Sequence, residues 1–159
     1  MAVIKYDNYV FSVNVQQTKE YYQNNSVCEC DYCQYLHSNI QGKYPELEVF
    51  LANFGIDITK FDEAGPVELD GQYLYSFIGY TVCGKIVNIS EQDIVLPGTD
   101  DIRIRVDTGY AFPNNQDSDY FSLTVFGVSL DCETAKESRT ESLAESLRLK
   151  IKSLLGKRT

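Results

Sequence analysis

The 159-residue chain carries 14 basic against 23 acidic residues, a formal net charge of −9, with 43% hydrophobic residues. At this length a chain buries roughly two thirds of its unfolded surface, and its hydrophobic content excludes the disordered class, so residues 1–159 read as a single domain. The acidic balance argues against nucleic acid, whose phosphates require clustered Lys and Arg; with no leader-like segment and no apolar run near the ~18 residues of a membrane span, the expectation is a cytoplasmic protein without a membrane partner.

Residues 3 to 15 predict a β-hairpin. Tyr9, Phe11, Val13 and Val15 alternate with Asn8, Val10, Ser12 and Asn14 after an Asp7-Asn8 turn. The polar stretch from Gln16 to Ser26 reads as a connection, and beyond it the apolar period changes from two to three or four. Cys33, Leu36, His37 and Ile40 fall at i, i+3, i+4 and i+7, which predicts a helix over about 31–41 ended by Gly42. Leu47, Phe50, Leu51 and Phe54 repeat the pattern between Pro45 and Gly55. The pair makes a helical hairpin, and residues 56 to 66 read as the loop that leaves it.

From 67 to 130 the pattern is that of a strand meander. Val67 to Leu69 and a long strand from Gln72 to Val87 flank an Asp70-Gly71 turn, with Gly79 and Gly84 as candidate bulges. Ile102, Ile104 and Val106 alternate with charged neighbours, as in a strand with one wet face. Tyr120 to Leu130 reads as one strand, apolar on both sides and therefore central or covered twice. The last element is an amphipathic helix of about 138–155, with Leu143, Leu147, Ile151 and Leu154 on its stripe. The basic residues Arg148, Lys150 and Lys152 complement its C-terminal dipole. The fold class is thus α+β: a mainly antiparallel sheet or sandwich with an inserted helical hairpin and a C-terminal amphipathic helix.

Unusual chemistry concentrates in one place. Cys28, Cys30, Cys33 and His37 lie within ten residues, and His37 is the sole histidine. Three thiolates and an imidazole form a donor set that structural zinc takes tetrahedrally. Two departures from the usual pattern stand against it. The ligand pairs of common zinc motifs are separated by a dozen or more residues, and a chain with an adequate core needs no ion to fold. Cys83 or Cys132 are further candidate ligands. The plainest alternative is ordinary reduced thiols beside a packed histidine, since five cysteines are an odd number and a reducing compartment disfavours disulfides. A third reading is redox chemistry through Cys30-Asp31-Tyr32-Cys33, a spacing that lowers a thiol pKa at a helix N-terminus.

Other motifs fail on their chemistry. Gly79 to Lys85 imitates the start of a phosphate-binding loop but has Ile86 where Ser or Thr is required. There is no Gly-x-Ser-x-Gly nucleophile elbow. Tyr73, Tyr75 and Tyr80 share one strand and would line a ligand groove, although aromatic residues also populate sheets because they pack well there.

The segment from Cys28 to Phe61, with Cys-x-Cys-x-x-Cys, Tyr44-Pro45-Glu46-Leu47 and Phe54-Gly55-Ile56-Asp57, resembles small bacterial proteins of unknown function. The resemblance implies a bacterial intracellular protein and transfers no activity or ligand. The functional expectation is a non-enzymatic binding or structural module with an unidentified protein or small-ligand partner and a zinc site at the cysteines. The alternatives are a thiol-dependent redox enzyme and a small-ligand-binding β domain lined by tyrosines.

Overall fold

Tyr6 and Tyr9 face each other across Asp7-Asn8, where Asp7 takes a left-handed backbone (φ 49°) that its short polar side chain tolerates. This turn joins β1 (Ala2–Tyr6) to β2 (Tyr9–Val13). The computed structural model describes residues 1–69, 72–99, 101–108 and 119–131. The predicted helix over 138–155 with its basic residues, the Asp70-Gly71 turn and Cys132 lie outside the described residues.

After β2 come three helices, α1 (Val15–Asn24), α2 (Asp31–Asn39) and α3 (Pro45–Asn53). The remaining elements among the described residues are strands: β3 (Glu63–Leu69), β4 (Gln72–Asn88), β5 (Ile94–Val95), β6 (Arg103–Asp107), β7 (Tyr120–Phe126) and β8 (Val128–Asp131). All pairings are antiparallel, in the order β1-β2-β4-β7-β6-β5, with β3 and β8 as further partners of β4. The architecture is α+β with a mainly antiparallel sheet, and the helical hairpin α2–α3 is inserted between strands as its spacing predicts. None of the helices among the described residues is long and apolar enough to cross a membrane.

The long strand β4 organises the molecule. Its first part lies between β3 and β8, and β7 and β2 take over further along. Its pairing with β3 shifts between Ala64 and Pro66, so that Gly65 stands opposite both Ser76 and Phe77. The irregularity reverses the alternation of the strand. Tyr75 before it and Ile78, Tyr80 and Val82 after it are therefore all buried. The bulges predicted at Gly79 and Gly84 fall elsewhere, at Gly65 and between Val10 and Phe11 of the β2 pairing. Gly84 instead has positive φ (154°) and passes so close to the Ser12 carbonyl that a side chain would collide.

Two further differences from the sequence reading have clear causes. The strand predicted over 120–130 divides at Gly127 (φ 88°), where any Cβ would strike the Asp101 carbonyl. The polar stretch 16–26 is largely helical. Asn14 caps α1 by accepting from the Gln17 N–H, and the helix docks by polar groups rather than an apolar stripe. Between Gly79, where β3 stops pairing, and Gly84, where β2 begins, that edge of β4 has no strand partner. The Tyr22 hydroxyl donates to the Thr81 carbonyl (3.0 Å) and accepts from the Thr81 N–H (2.8 Å). Thr18 Oγ accepts from the Cys83 N–H (3.1 Å), and the Asn14 N–H reaches the Cys83 carbonyl (2.8 Å). Helix α1 thus completes the ladder of a strand edge that would otherwise be buried unpaired.

Packing centres on Phe11, Phe54 and Phe121. Phe11 stacks on Phe121 with centroids 5.3 Å apart, and Phe54 meets Phe11 edge-on at 5.2 Å. Leu36, Ile40, Leu47, Phe50 and Leu51 bring α2 and α3 into the same core.

Candidate metal centre

The cysteine segment begins after α1, and α2 itself folds it back. Cys30 is the N-cap residue of α2, with extended backbone (φ −68°, ψ 153°), and its carbonyl accepts the first helical bond from the Gln34 N–H (3.0 Å). The Gln34 side chain donates to the Cys28 carbonyl (2.8 Å), and the Cys30 N–H points to Cys28 Sγ (3.4 Å). One helical turn thereby holds both loop cysteines over its start. Cys33 occupies that turn from the buried side, while Cys28 and Cys30 are exposed. The three sulfurs all lie within 4.8 Å of one another.

Helix α2 is in turn fixed to the sheet. Leu36 and Ile40 are fully buried. The Tyr75 hydroxyl donates to the Tyr32 carbonyl (3.0 Å), and the Tyr35 hydroxyl donates to the Asp131 carbonyl. Tyr32 and Tyr35 both meet the Tyr73 ring edge-on, at 5.4 and 4.9 Å. The Tyr80 hydroxyl donates to the Ile58 carbonyl (2.9 Å). The tyrosines of β4 thus tie helices and loops to the sheet.

His37 is not part of the thiol group. Its Nδ1 lies 2.7 Å from the Thr59 carbonyl, which only accepts, so Nδ1 carries the proton. Helical spacing places Cys33 and His37 one turn apart, but the half-buried imidazole reaches the loop after α3 while Cys33 Sγ meets the other two sulfurs. Cys83, the other candidate among the described residues, is buried in β4, where desolvation raises its pKa and the Thr18 and Tyr120 side chains oppose that rise. It is not one of the three.

The thiols polarise each other. Cys30 makes no short side-chain cap bond, yet the Cys33 N–H lies near enough to its large, diffuse sulfur to favour the thiolate. The Cys33 and Cys28 thiols add to this, and the Cys30 pKa is lowered. Burial pushes Cys33 the other way, up to about 12, reinforced by the proton it shares with Cys30 and by the nearby Cys30 and Cys28 sulfurs. The arrangement favours the thiolate form at the exposed Cys30, at a helix N-terminus, over that at Cys33. Such an all-sulfur donor set selects soft or borderline cations over magnesium and calcium. A tetrahedral zinc thiolate with bonds of ~2.3 Å needs sulfurs about 3.8 Å apart, so a small contraction of this group suffices.

Among the described residues, three concavities are lined by no cysteine. One of about 620 Å³ includes Leu74, Arg103 and Phe126, one of about 400 Å³ includes Pro45, Val49 and Leu96, and a polar one of about 270 Å³ includes Tyr21, Lys60 and Asp62. In the last, the Tyr21 hydroxyl donates to Asp62 Oδ1. Burial raises the Asp62 pKa, opposed by hydrogen bonds from Tyr21 and Thr81 that favour the carboxylate. A carboxyl with a raised folded pKa makes the native state the better proton binder between its unfolded and folded values. Its contribution to stability is therefore greatest below the ordinary carboxylate range and falls as pH rises through the folded pKa. Urea midpoints of Asp62→Asn and the parent protein, compared from about pH 4 to pH 7, are expected to shift in favour of the variant as pH rises. A pH-independent difference would contradict this.

The chain matches no known protein-family model, no curated protein and no solved structure.

Proposed function

We propose that this protein is a non-enzymatic binding or structural module in which Cys28, Cys30 and Cys33 hold a structural zinc ion. The observation that carries the reading is the convergence of three sulfurs at the junction of a loop and α2. The ion fastens residues 28–30 to the first turn of α2, a helix anchored to the sheet through Tyr32, Tyr35 and Leu36. Its role is local, fixing one edge of the helical hairpin, because the Phe11–Phe54–Phe121 contacts draw on β2, the end of α3 and β7 and on none of the three cysteines. Zinc prefers four ligands, which leaves a position for a donor beyond these three.

Elemental analysis of protein purified anaerobically is expected to find about one zinc per chain. Cobalt substitution is expected to produce a thiolate-to-cobalt charge-transfer band. Cys33→Ser loses both signals, and Cys83→Ser retains them. Because the thiols must shed protons to bind, loading falls as pH falls. Protein that takes up neither metal, as isolated or after zinc is supplied under reducing conditions, would overturn the proposal.

A further inference from the structure

We infer that the cluster is also a site of reversible oxidation, at which hydrogen peroxide joins Cys30 to Cys33 and so removes two of the three metal-binding sulfurs. The metal-release half rests on the zinc reading above, whereas the disulfide half does not.

Cys30 and Cys33 bracket the first turn of α2. From helical rise and radius, two such Cα atoms lie about 5 Å apart, inside the ~4.4–6.8 Å range that a disulfide spans. Their sulfurs already fall within 4.8 Å. At that Cα separation side-chain rotation can bring the sulfurs to bonding distance, and the Gln34 N–H to Cys30 carbonyl bond that starts the helix involves neither sulfur. Access is asymmetric. Cys30 is exposed and meets a dissolved oxidant first, while Cys33 is 7% exposed and sits beneath it. That order favours resolution into a disulfide over further oxidation.

The chemistry balances in two steps. Cys30 Sγ attacks one peroxide oxygen, the O–O bond breaks, and Cys30 becomes a sulfenic acid as one water leaves. Cys33 Sγ then attacks the Cys30 sulfur, the S–O bond breaks, and the hydroxyl departs with the Cys33 proton as a second water. Two thiols are oxidised by two electrons in total, and one peroxide is reduced to two waters. Only the Cys28 sulfur then remains in the cluster as a donor, and one sulfur is too small a donor set to retain zinc.

The test treats reduced metal-free and zinc-loaded protein with equimolar hydrogen peroxide. Free thiols are then alkylated, peptides mapped, and released zinc followed with a chromogenic chelator. A Cys30–Cys33 cross-link is expected in both forms, reversed by a phosphine reductant, with zinc released from the loaded form and Cys83 left as a thiol. Cys28→Ser keeps the cross-link, and Cys33→Ser loses it. Sulfinic or sulfonic acid at Cys30 without the cross-link in metal-free protein would overturn the inference, as would a cross-link that leaves zinc bound. If zinc never binds and the cross-link still forms, the zinc reading fails while the oxidation site stands.

Discussion

Phe54→Ala is expected to lower the unfolding free energy by about 3–5 kcal/mol. Phe54 is fully buried at the end of α3 and meets three aromatic rings: Phe11 at 5.2 Å, Phe121 at 6.4 Å and Phe50 at 5.1 Å. Phe11 comes from β2 and Phe121 from β7, so the ring is a junction between the helical hairpin and two strands on either side of β4. Truncation removes apolar burial and leaves a cavity whose walls belong to three separate elements. Those walls cannot collapse together without moving a strand, which places the cost toward the upper end for a core deletion. Urea unfolding should show a lower midpoint at an unchanged slope. Val49→Ala is the control one and a half turns earlier on α3: Val49 is 65% exposed, so its loss should change stability little. Equal effects of the two substitutions would show that α3 does not pack as described.

Tyr22→Phe is expected to cost about 1–3 kcal/mol although it deletes a single oxygen. That oxygen both donates to the Thr81 carbonyl and accepts from the Thr81 N–H. The phenol is 3% exposed, so removing its hydroxyl takes a buried partner from both Thr81 backbone groups. The ring and its packing survive, so the loss reports the backbone groups of the β4 edge. Native-state hydrogen exchange should find the Thr81 amide less protected in the variant, while amides in β6 and β7 that pair with each other change only with global stability. Unaltered stability together with unaltered Thr81 exchange would mean that α1 does not complete this edge.

These two residues also divide what was legible from what was not. The helical hairpin is visible in the sequence because Leu36, Ile40, Leu47, Phe50, Leu51 and Phe54 recur at helical spacing, and all six are buried. Likewise, the alternation around Asp7-Asn8 and along residues 102–106 gives strands with the right face inward. Helix α1 is not visible because its buried residues are Thr18 and Tyr22, polar types whose partners are backbone groups some sixty positions away. No local period records such a partner. The break at Gly127 is hidden for a related reason. Its cause is the Asp101 carbonyl, remote in sequence and adjacent only after β6 and β7 pair.

For the candidate site, the sequence by itself determined the donor types and their spacing. Cys30 and Cys33 bracket one helical turn whatever the rest of the molecule does, because helix geometry is local. Tertiary structure decided which residues join. The Gln34 side chain folds Cys28 back to the start of α2, whereas the Thr59 carbonyl claims the His37 ring that spacing had placed beside Cys33. Periodicity fixes the side of a helix from which a residue projects. Where its polar atom ends up depends on which partner outside that periodicity satisfies its hydrogen bonds, six residues away for Gln34 and twenty-two for His37.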